Sequence, residues 1–168
     1  MNKQQTISKP VSLKGVGIHS GNEVNLTFKP ANEDFGYAFC RTDLPGKPII
    51  EADVNYVVST ERGTTLEKNG VNIQTSEHVL AALTGLEIDN VLIEIDASEP
   101  PIMDGSSKFF VEALIDAGIE KQSKDRNEYV VKEIISYHDE KSGSDITVLP
   151  ADSYEVTAMV DFGTKILG

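Results

Sequence analysis

The chain is short of several things, and each shortage removes a class of function. It has a single cysteine, Cys40, so no internal disulfide forms, and the residue pattern of a catalytic thiol is absent. Cys40 ends the strand-like run Tyr37-Ala38-Phe39-Cys40 and reads as a buried structural thiol. No apolar stretch approaches the roughly 20 residues of a membrane-spanning helix. Met1-Asn2-Lys3-Gln4-Gln5-Thr6 has no apolar stretch behind its lysine, so the expectation is no secretory signal and a cytoplasmic location. Basic residues are outnumbered: 15 Lys and Arg face 27 Asp and Glu, for a net charge of −12. That field repels a phosphate backbone and argues against nucleic-acid binding. The acidic residues are spread along the chain, as on a solvated surface, rather than gathered in a tail. An anionic substrate would have to be met by local cations or by cations from elsewhere.

What is present is an ordinary globular composition. Of 168 residues, 39% are hydrophobic and 25% charged, which argues against disorder and suits one average domain or two small ones. Strand patterns come first. Thr6 to Ile18 alternates loosely. Glu23 to Lys29 alternates cleanly, with Val24, Leu26 and Phe28 on one face, and His19-Ser20-Gly21-Asn22 between these segments reads as a hairpin turn. Tyr37 to Arg41 and Ile49 to Val58 are further strands. Leu66 to Ile73 is a hairpin about Asn69-Gly70, the strongest short turn signal.

The period then changes. Ser76 to Leu83 reads as a short helix, capped by Thr75 or Ser76 and stopped near Gly85. Val91 to Ile95 is apolar enough to be a central strand. Pro100-Pro101 breaks it, and Asp104 is expected to cap a second helix over Gly105 to Ala117. In that helix Phe109, Phe110, Ala113, Leu114 and Ala117 form one stripe. The polar run Gln122 to Asn127 breaks the pattern and suggests a domain boundary, with residues 1–126 before it and 127–168 after it. The later part reads as three strands, Tyr129 to Tyr137, Asp145 to Leu149 and Tyr154 to Val160. A meander of this kind has no helix to cover it, so the chain reads as cut short. The expected class is α+β: a two-layer domain of mostly antiparallel sheet with two helices, plus the first strands of a second, similar domain.

The candidate chemistry is sparse. The three histidines, His19, His78 and His138, include no pair at H-x-x-x-H spacing, and catalytic zinc needs about three protein ligands. Glu77-His78 nevertheless stands out, because both residues fall in the first turn of the short helix. There the positive end of the helix dipole favours a carboxylate. Adjacent residues diverge by about 100° around a helix, so the two side chains flank a point beyond its tip. An ion held by the imidazole would lower the pKa of a water whose proton the carboxylate could take, the arrangement of metal-assisted hydrolysis. The alternative is that Glu77 only complements the dipole. Gly15 to Gly21 is glycine-rich but lacks the spacing of a phosphate loop and reads equally as a bulged strand entering a turn. His138, before Asp139-Glu140, reads as solvent-exposed.

Five segments occur in order: Gly15-Val16-Gly17-Ile18-His19-Ser20-Gly21, Arg41-Thr42-Asp43-Leu44, Thr75-Ser76-Glu77-His78-Val79-Leu80-Ala81-Ala82-Leu83, Gly85-Leu86-Glu87-Ile88-Asp89-Asn90, and Pro101-Ile102-Met103-Asp104-Gly105-Ser106. Together they closely resemble the UDP-3-O-acyl-N-acetylglucosamine deacetylases, zinc enzymes of lipid A synthesis in bacteria. The resemblance implies two similar α+β domains packed helix to helix around the site, of which this chain holds the first and the opening of the second. It implies that Glu77 is the general base and His78 one zinc ligand. The other ligands, a His and an Asp of an H-K-x-x-D motif, and a general-acid His are implied to lie in the second domain, outside this sequence. His19 matches a motif histidine near the substrate. Thr60 opens a stretch, Thr60 to Thr65, that matches an insert bordering the site, although Arg62-Gly63 departs from the family's usual residues there. The implied substrate is a UDP-linked, acylated N-acetylglucosamine and the implied cofactor is Zn2+. By itself the fragment would lack a competent site. Some relatives of this kind are fused to a 3-hydroxyacyl-ACP dehydratase. The rival readings are a non-catalytic folded domain and an acidic protein-interaction module.

Overall fold

The computed structural model describes residues 2–161. The chain divides into two compact units, one up to Arg126 and one from Asn127 onward. The first contains, in order, β1 (Lys3–Ile7), β2 (Val11–Val16), β3 (Glu23–Pro30), β4 (Tyr37–Arg41), β5 (Ile49–Glu51), a 3-10 turn (Val54–Tyr56), β6 (Val57–Ser59), β7 (Thr65–Lys68), β8 (Val71–Ile73), α1 (Glu77–Gly85), β9 (Val91–Ile95), α2 (Lys108–Ala117) and β10 (Ile119–Asp125). The class is α+β, as expected. Among the described residues no helix is long and apolar enough to cross a membrane.

A five-stranded sheet in the order β2-β3-β9-β4-β5 carries the unit. β9 lies centrally, antiparallel to β3 and parallel to β4, which suits its apolar run. Val24, Leu26 and Phe28 of β3 are fully buried, so the clean alternation there places one face on the core. α1 contributes Val79, Ala82 and Leu83 to that core, and α2 contributes Phe110, Leu114 and Ala117. The rings of Phe28 and Phe110 meet edge to face at 6.3 Å, a favoured aromatic geometry. Phe109, expected in the buried stripe, is instead 39% exposed. The second layer of strands is split into the sheet β6-β7-β8 and the ribbon β1-β10. Asn69 and Gly70 turn β7 into β8 with φ of 53° and 77°, the left-handed pair that a two-residue hairpin demands.

Three strand expectations are corrected. Thr6 to Ile18 is two strands with different partners, broken around Pro10: β1 pairs with β10 and β2 with β3. Proline cannot donate to a ladder. Ile49 to Val58 is interrupted by the 3-10 turn, where the Asp53 carboxylate accepts the Asn55 N–H at 2.8 Å. The polar run that starts at Gln122 belongs to β10 as far as Asp125, and the boundary between the two units follows it, between Arg126 and Asn127.

The caps differ as well. Ser76 precedes α1 and Ser107 precedes α2, both in helical conformation and neither with a side-chain cap. Asp104 accepts the N–H and hydroxyl of Ser106 in a turn ahead of α2, so that helix starts at Lys108 rather than Gly105. Gly85 is the last residue of α1, and the left-handed residue that follows is Glu87, with φ of 55°.

In the second unit β11 (Ile135–Asp139) and β12 (Ser144–Val148) form an antiparallel hairpin. His138 is exposed on β11, with Nδ1 2.7 Å from Asp145 Oδ1. The strand expected over Tyr154 to Val160 is not formed. Those residues are exposed and have no ladder partner among the described residues, without which an extended run leaves its backbone groups to water. Cys40 is buried, as expected, and its thiol is pushed up first by burial and then by the nearby Glu94.

The β1-β10 ribbon is fastened to the main sheet by the buried side chain of Asn90. Its amide donates to Gln4 Oε1 at 2.9 Å and Gln122 Oε1 at 2.7 Å, and its oxygen accepts the Gly36 N–H at 2.9 Å. Asn90→Ala removes all three bonds, leaving Gln4 Oε1 only the N–H of Asp34, and should destabilise the chain by about 3 kcal/mol. Equilibrium urea unfolding with an unchanged denaturant slope is the check.

Candidate functional site

The tip of α1 is built by a turn that folds back on the loop before β7. Thr75 holds a left-handed φ of 51°, uncommon for a β-branched residue. This turns the chain sharply out of β8, whose continuation is pinned by the Gln74 N–H on Ser98 O at 2.8 Å. Ser76 then donates twice to Thr64 O, from its N–H at 3.2 Å and its hydroxyl at 3.0 Å. Thr64 returns a bond, its N–H donating to Glu77 Oε2 at 2.8 Å.

Glu77 therefore does more than complement the helix dipole. One oxygen is anchored by Thr64, and the other, Oε1, lies 3.9 Å from His78 Nε2. A Cβ on Gly63 would sit 3.1 Å from that same Oε1 and 3.3 Å from the Thr75 hydroxyl, so the absence of a side chain there keeps the carboxylate's approach clear. The Glu77 and His78 side chains remain 38% and 30% exposed, oriented yet reachable. Ser107, just before α2, donates its hydroxyl to His78 O at 2.9 Å and ties the second helix to this tip.

Beside the pair is an open cavity of about 140 Å³ lined by His19, Glu61, Arg62, Gly63, Thr65, Gln74 and Thr75. His19 thus shares a cavity with Thr75, two residues before Glu77, although it is far away in the sequence. Arg62, at a left-handed φ of 60°, brings a cation to a strongly acidic chain. Thr60 is exposed just beyond β6 and is not among the lining residues, which begin at Glu61.

Glu77 and His78 offer one carboxylate and one imidazole nitrogen. That donor set fits a single metal ligand beside a base. Among the described residues no group of three or more His, Cys, Asp or Glu side chains could hold a metal ion.

Sequence reasoning missed Glu99. It is fully buried, and its carboxylate accepts the N–H of Ser20 at 2.9 Å, the N–H of His19 at 3.2 Å and the hydroxyl of Thr75 at 3.2 Å. The available signal was a charged residue placed between a central strand and Pro100-Pro101. Burial raises the Glu99 carboxyl, but the bonds from Ser20, His19 and Thr75 outweigh it and hold the group below the ordinary glutamate value of 4.5. A depressed folded value means stability that is present above the unfolded value and lost as pH falls through the folded one. The stability gap between the parent chain and Glu99→Gln should therefore be full at neutral pH and narrow below about pH 4.5. Urea unfolding as a function of pH measures it, and a constant gap would contradict an ionised Glu99.

Comparison with known proteins places the chain among its relatives. The family profile described as UDP-3-O-acyl N-acetylglycosamine deacetylase, LpxC, matches residues 4–168. A bifunctional enzyme LpxC/FabZ of Chlorobaculum tepidum is 46% identical over 165 residues, covering 98% of this chain and 35% of the relative. The UDP-3-O-acyl-N-acetylglucosamine deacetylases of Hahella chejuensis and Pasteurella multocida are 43% and 41% identical, covering 99% and 100% of this chain and 55% of each relative. The chain thus spans about half the length of those deacetylases and about a third of the bifunctional relative. With the family profile matched over nearly its whole length, this chain belongs to the UDP-3-O-acyl N-acetylglycosamine deacetylase family.

Proposed function

We propose that the full-length protein containing this chain hydrolyses the N-acetyl amide of a UDP-linked, 3-O-acylated N-acetylglucosamine. The observation that carries the reading is the Glu77 carboxylate, anchored on one oxygen by Thr64 and facing His78 with the other, next to Gly63 and Thr75 of the cavity lining. Deacetylation of such a sugar breaks one C–N bond. A water oxygen bonds to the acetyl carbon, its proton passes to Glu77, the amine leaves with a proton, and acetate is released. Zinc, when bound, would polarise the carbonyl and lower the pKa of the attacking water. His78 would hold it through one ring nitrogen. The remaining ligands and the general acid belong, in this reading, to parts of the protein outside this chain.

The chain's own residues orient the reaction. Thr64 fixes the base, so Glu77 needs little reorganisation to take a proton. His19 lines the same cavity and is placed to contact the sugar nucleotide, and Arg62 offers a local counter-charge to its diphosphate. A cytoplasmic setting, where nucleotide-linked sugars are made, belongs to the same reading. So does a parent fused to a 3-hydroxyacyl-ACP dehydratase, supported by the bifunctional name of the Chlorobaculum tepidum relative.

In the full-length protein Glu77→Ala should lower deacetylation by roughly 10²–10⁴-fold in a coupled assay for released acetate. Unchanged turnover would favour the acidic interaction module instead. The present chain alone, given added zinc, should show no turnover and should retain less than one equivalent of zinc by metal analysis, because a single ligand does not complete a first shell. Measurable activity, or tight stoichiometric zinc, would refute the split site.

A further inference from the structure

We infer that Glu99 is the positioning residue for His19: a buried carboxylate, outside the cavity lining, that holds the turn carrying His19 against the entrance of α1. The inference rests on the deacetylase reading above and goes beyond it, because it assigns a role to a group that contacts neither substrate nor metal in that reading.

The geometry is a three-way tie. Glu99 follows β9. Its Oε2 accepts the N–H of Ser20 at 2.9 Å and shares the His19 N–H at 3.2 Å. Its Oε1 accepts the same His19 N–H at 3.2 Å and the Thr75 hydroxyl at 3.2 Å. One side chain thus binds the turn after β2 and the residue that bends the chain into α1, two segments more than fifty residues apart in the sequence. Both ends of the tie, His19 and Thr75, line the cavity, whereas Glu99 does not.

Two further observations show that the tie is tight. A Cβ at Gly17 would lie 2.5 Å from Glu99 Oε2 and 2.4 Å from the Ser20 hydroxyl, so the carboxylate is seated directly on the turn's backbone. Thr75 is held in a left-handed conformation, a state that persists only where its surroundings over-determine it, and the Glu99 bond is one of those restraints. His19 itself is exposed. Its N–H bond to Glu99 ties it to a residue 80 positions away in the sequence. A polar group on an exposed turn keeps a fixed direction only if its backbone is fastened, and a misplacement of about 1 Å can cost about 100-fold in rate.

The chemistry makes the carboxylate hard to replace. All the partners named above donate to it. Glutamine keeps the shape but turns one acceptor into an NH2 that faces backbone N–H groups, which should release the turn.

The test is a double-variant cycle in the full-length, zinc-loaded protein, with kcat and KM for deacetylation measured for His19→Ala, Glu99→Gln and the double variant. Circular dichroism and the melting temperature normalise each to its folded fraction. We expect Glu99→Gln to lower kcat/KM about 10- to 100-fold per folded molecule, and the double variant to fall well short of the product of the two single losses. Losses that multiply, a wild-type rate for folded Glu99→Gln, or a His19→Ala variant without effect would each overturn the inference. If Glu99→Gln does not fold, Thr75→Val removes one partner of the same carboxylate, and its cycle with His19→Ala is judged by the same criterion. Glu77→Ala separates the two levels of the claim. If that variant keeps deacetylation, the hydrolase reading fails. If it is inactive while the Glu99 cycle multiplies, only the positioning role fails.

Discussion

The pairing of β9 with β3 on one side and β4 on the other is the interaction on which the first unit depends. Val91, Ile93 and Ile95 drive it by burying one face against both helices, and the consequences appear at the strand's two ends. At the start, Asn90 reaches to β1, to β10 and to the loop before β4. Beyond the end, Asp96 accepts the N–H and amide of Asn25, Ser98 O accepts the Gln74 N–H, and Glu99 gathers the His19 turn and Thr75. One apolar strand therefore sets the place of two polar clusters, the first structural and the second next to the site.

That arrangement explains how the candidate site can rest on a short helix. α1 has nine residues, too few to be stable in isolation, and no side chain caps its start. Its tip is held from outside, by Thr64 on Ser76 and Glu77, by Ser107 on His78 and by the core contacts of Val79, Ala82 and Leu83. Glu77 and His78, mounted on such a tip, have their direction fixed by packing rather than by helix propensity, while their side chains stay partly accessible. The same economy of burial leaves Glu77 reachable and Glu99 sealed: one carboxylate is partly exposed at the helix tip, and the other binds His19 and Thr75 of the cavity lining from behind.

Much of the fold was legible because apolar periodicity reports burial directly. Val24, Leu26 and Phe28 alternate and are all buried, β9 reads as central and is central, and Asn69-Gly70 turns a hairpin. The failures share a cause. β10 is almost wholly exposed and has no apolar face; it is a strand because β1 supplies a ladder and Glu33 accepts the N–H groups of Ser123 and Lys124. Phe109 belongs to an amphipathic stripe, yet it stays 39% exposed, lining a shallow cavity with Val16 of β2 and Met103. Asp104 has the chemistry of a helix cap, and it spends that chemistry on a turn three residues earlier.

By itself the sequence determined which side chains could do chemistry, since a Glu-His pair at a strand-to-helix junction and a histidine in a glycine-rich turn are chemical facts that survive any fold. It also determined the α+β class, because the hydrophobic period changes from two to that of a helix at Ser76. Only the tertiary structure decided that His19, Arg62 and Thr75 line one cavity, and that Glu99 is a buried anchor rather than one more surface charge in an acidic chain. The physical reason is distance along the chain. Period and propensity act over a few residues, whereas the bonds that build this site join residues 13 to 80 positions apart, and such partners are chosen by the packing of the sheet between them.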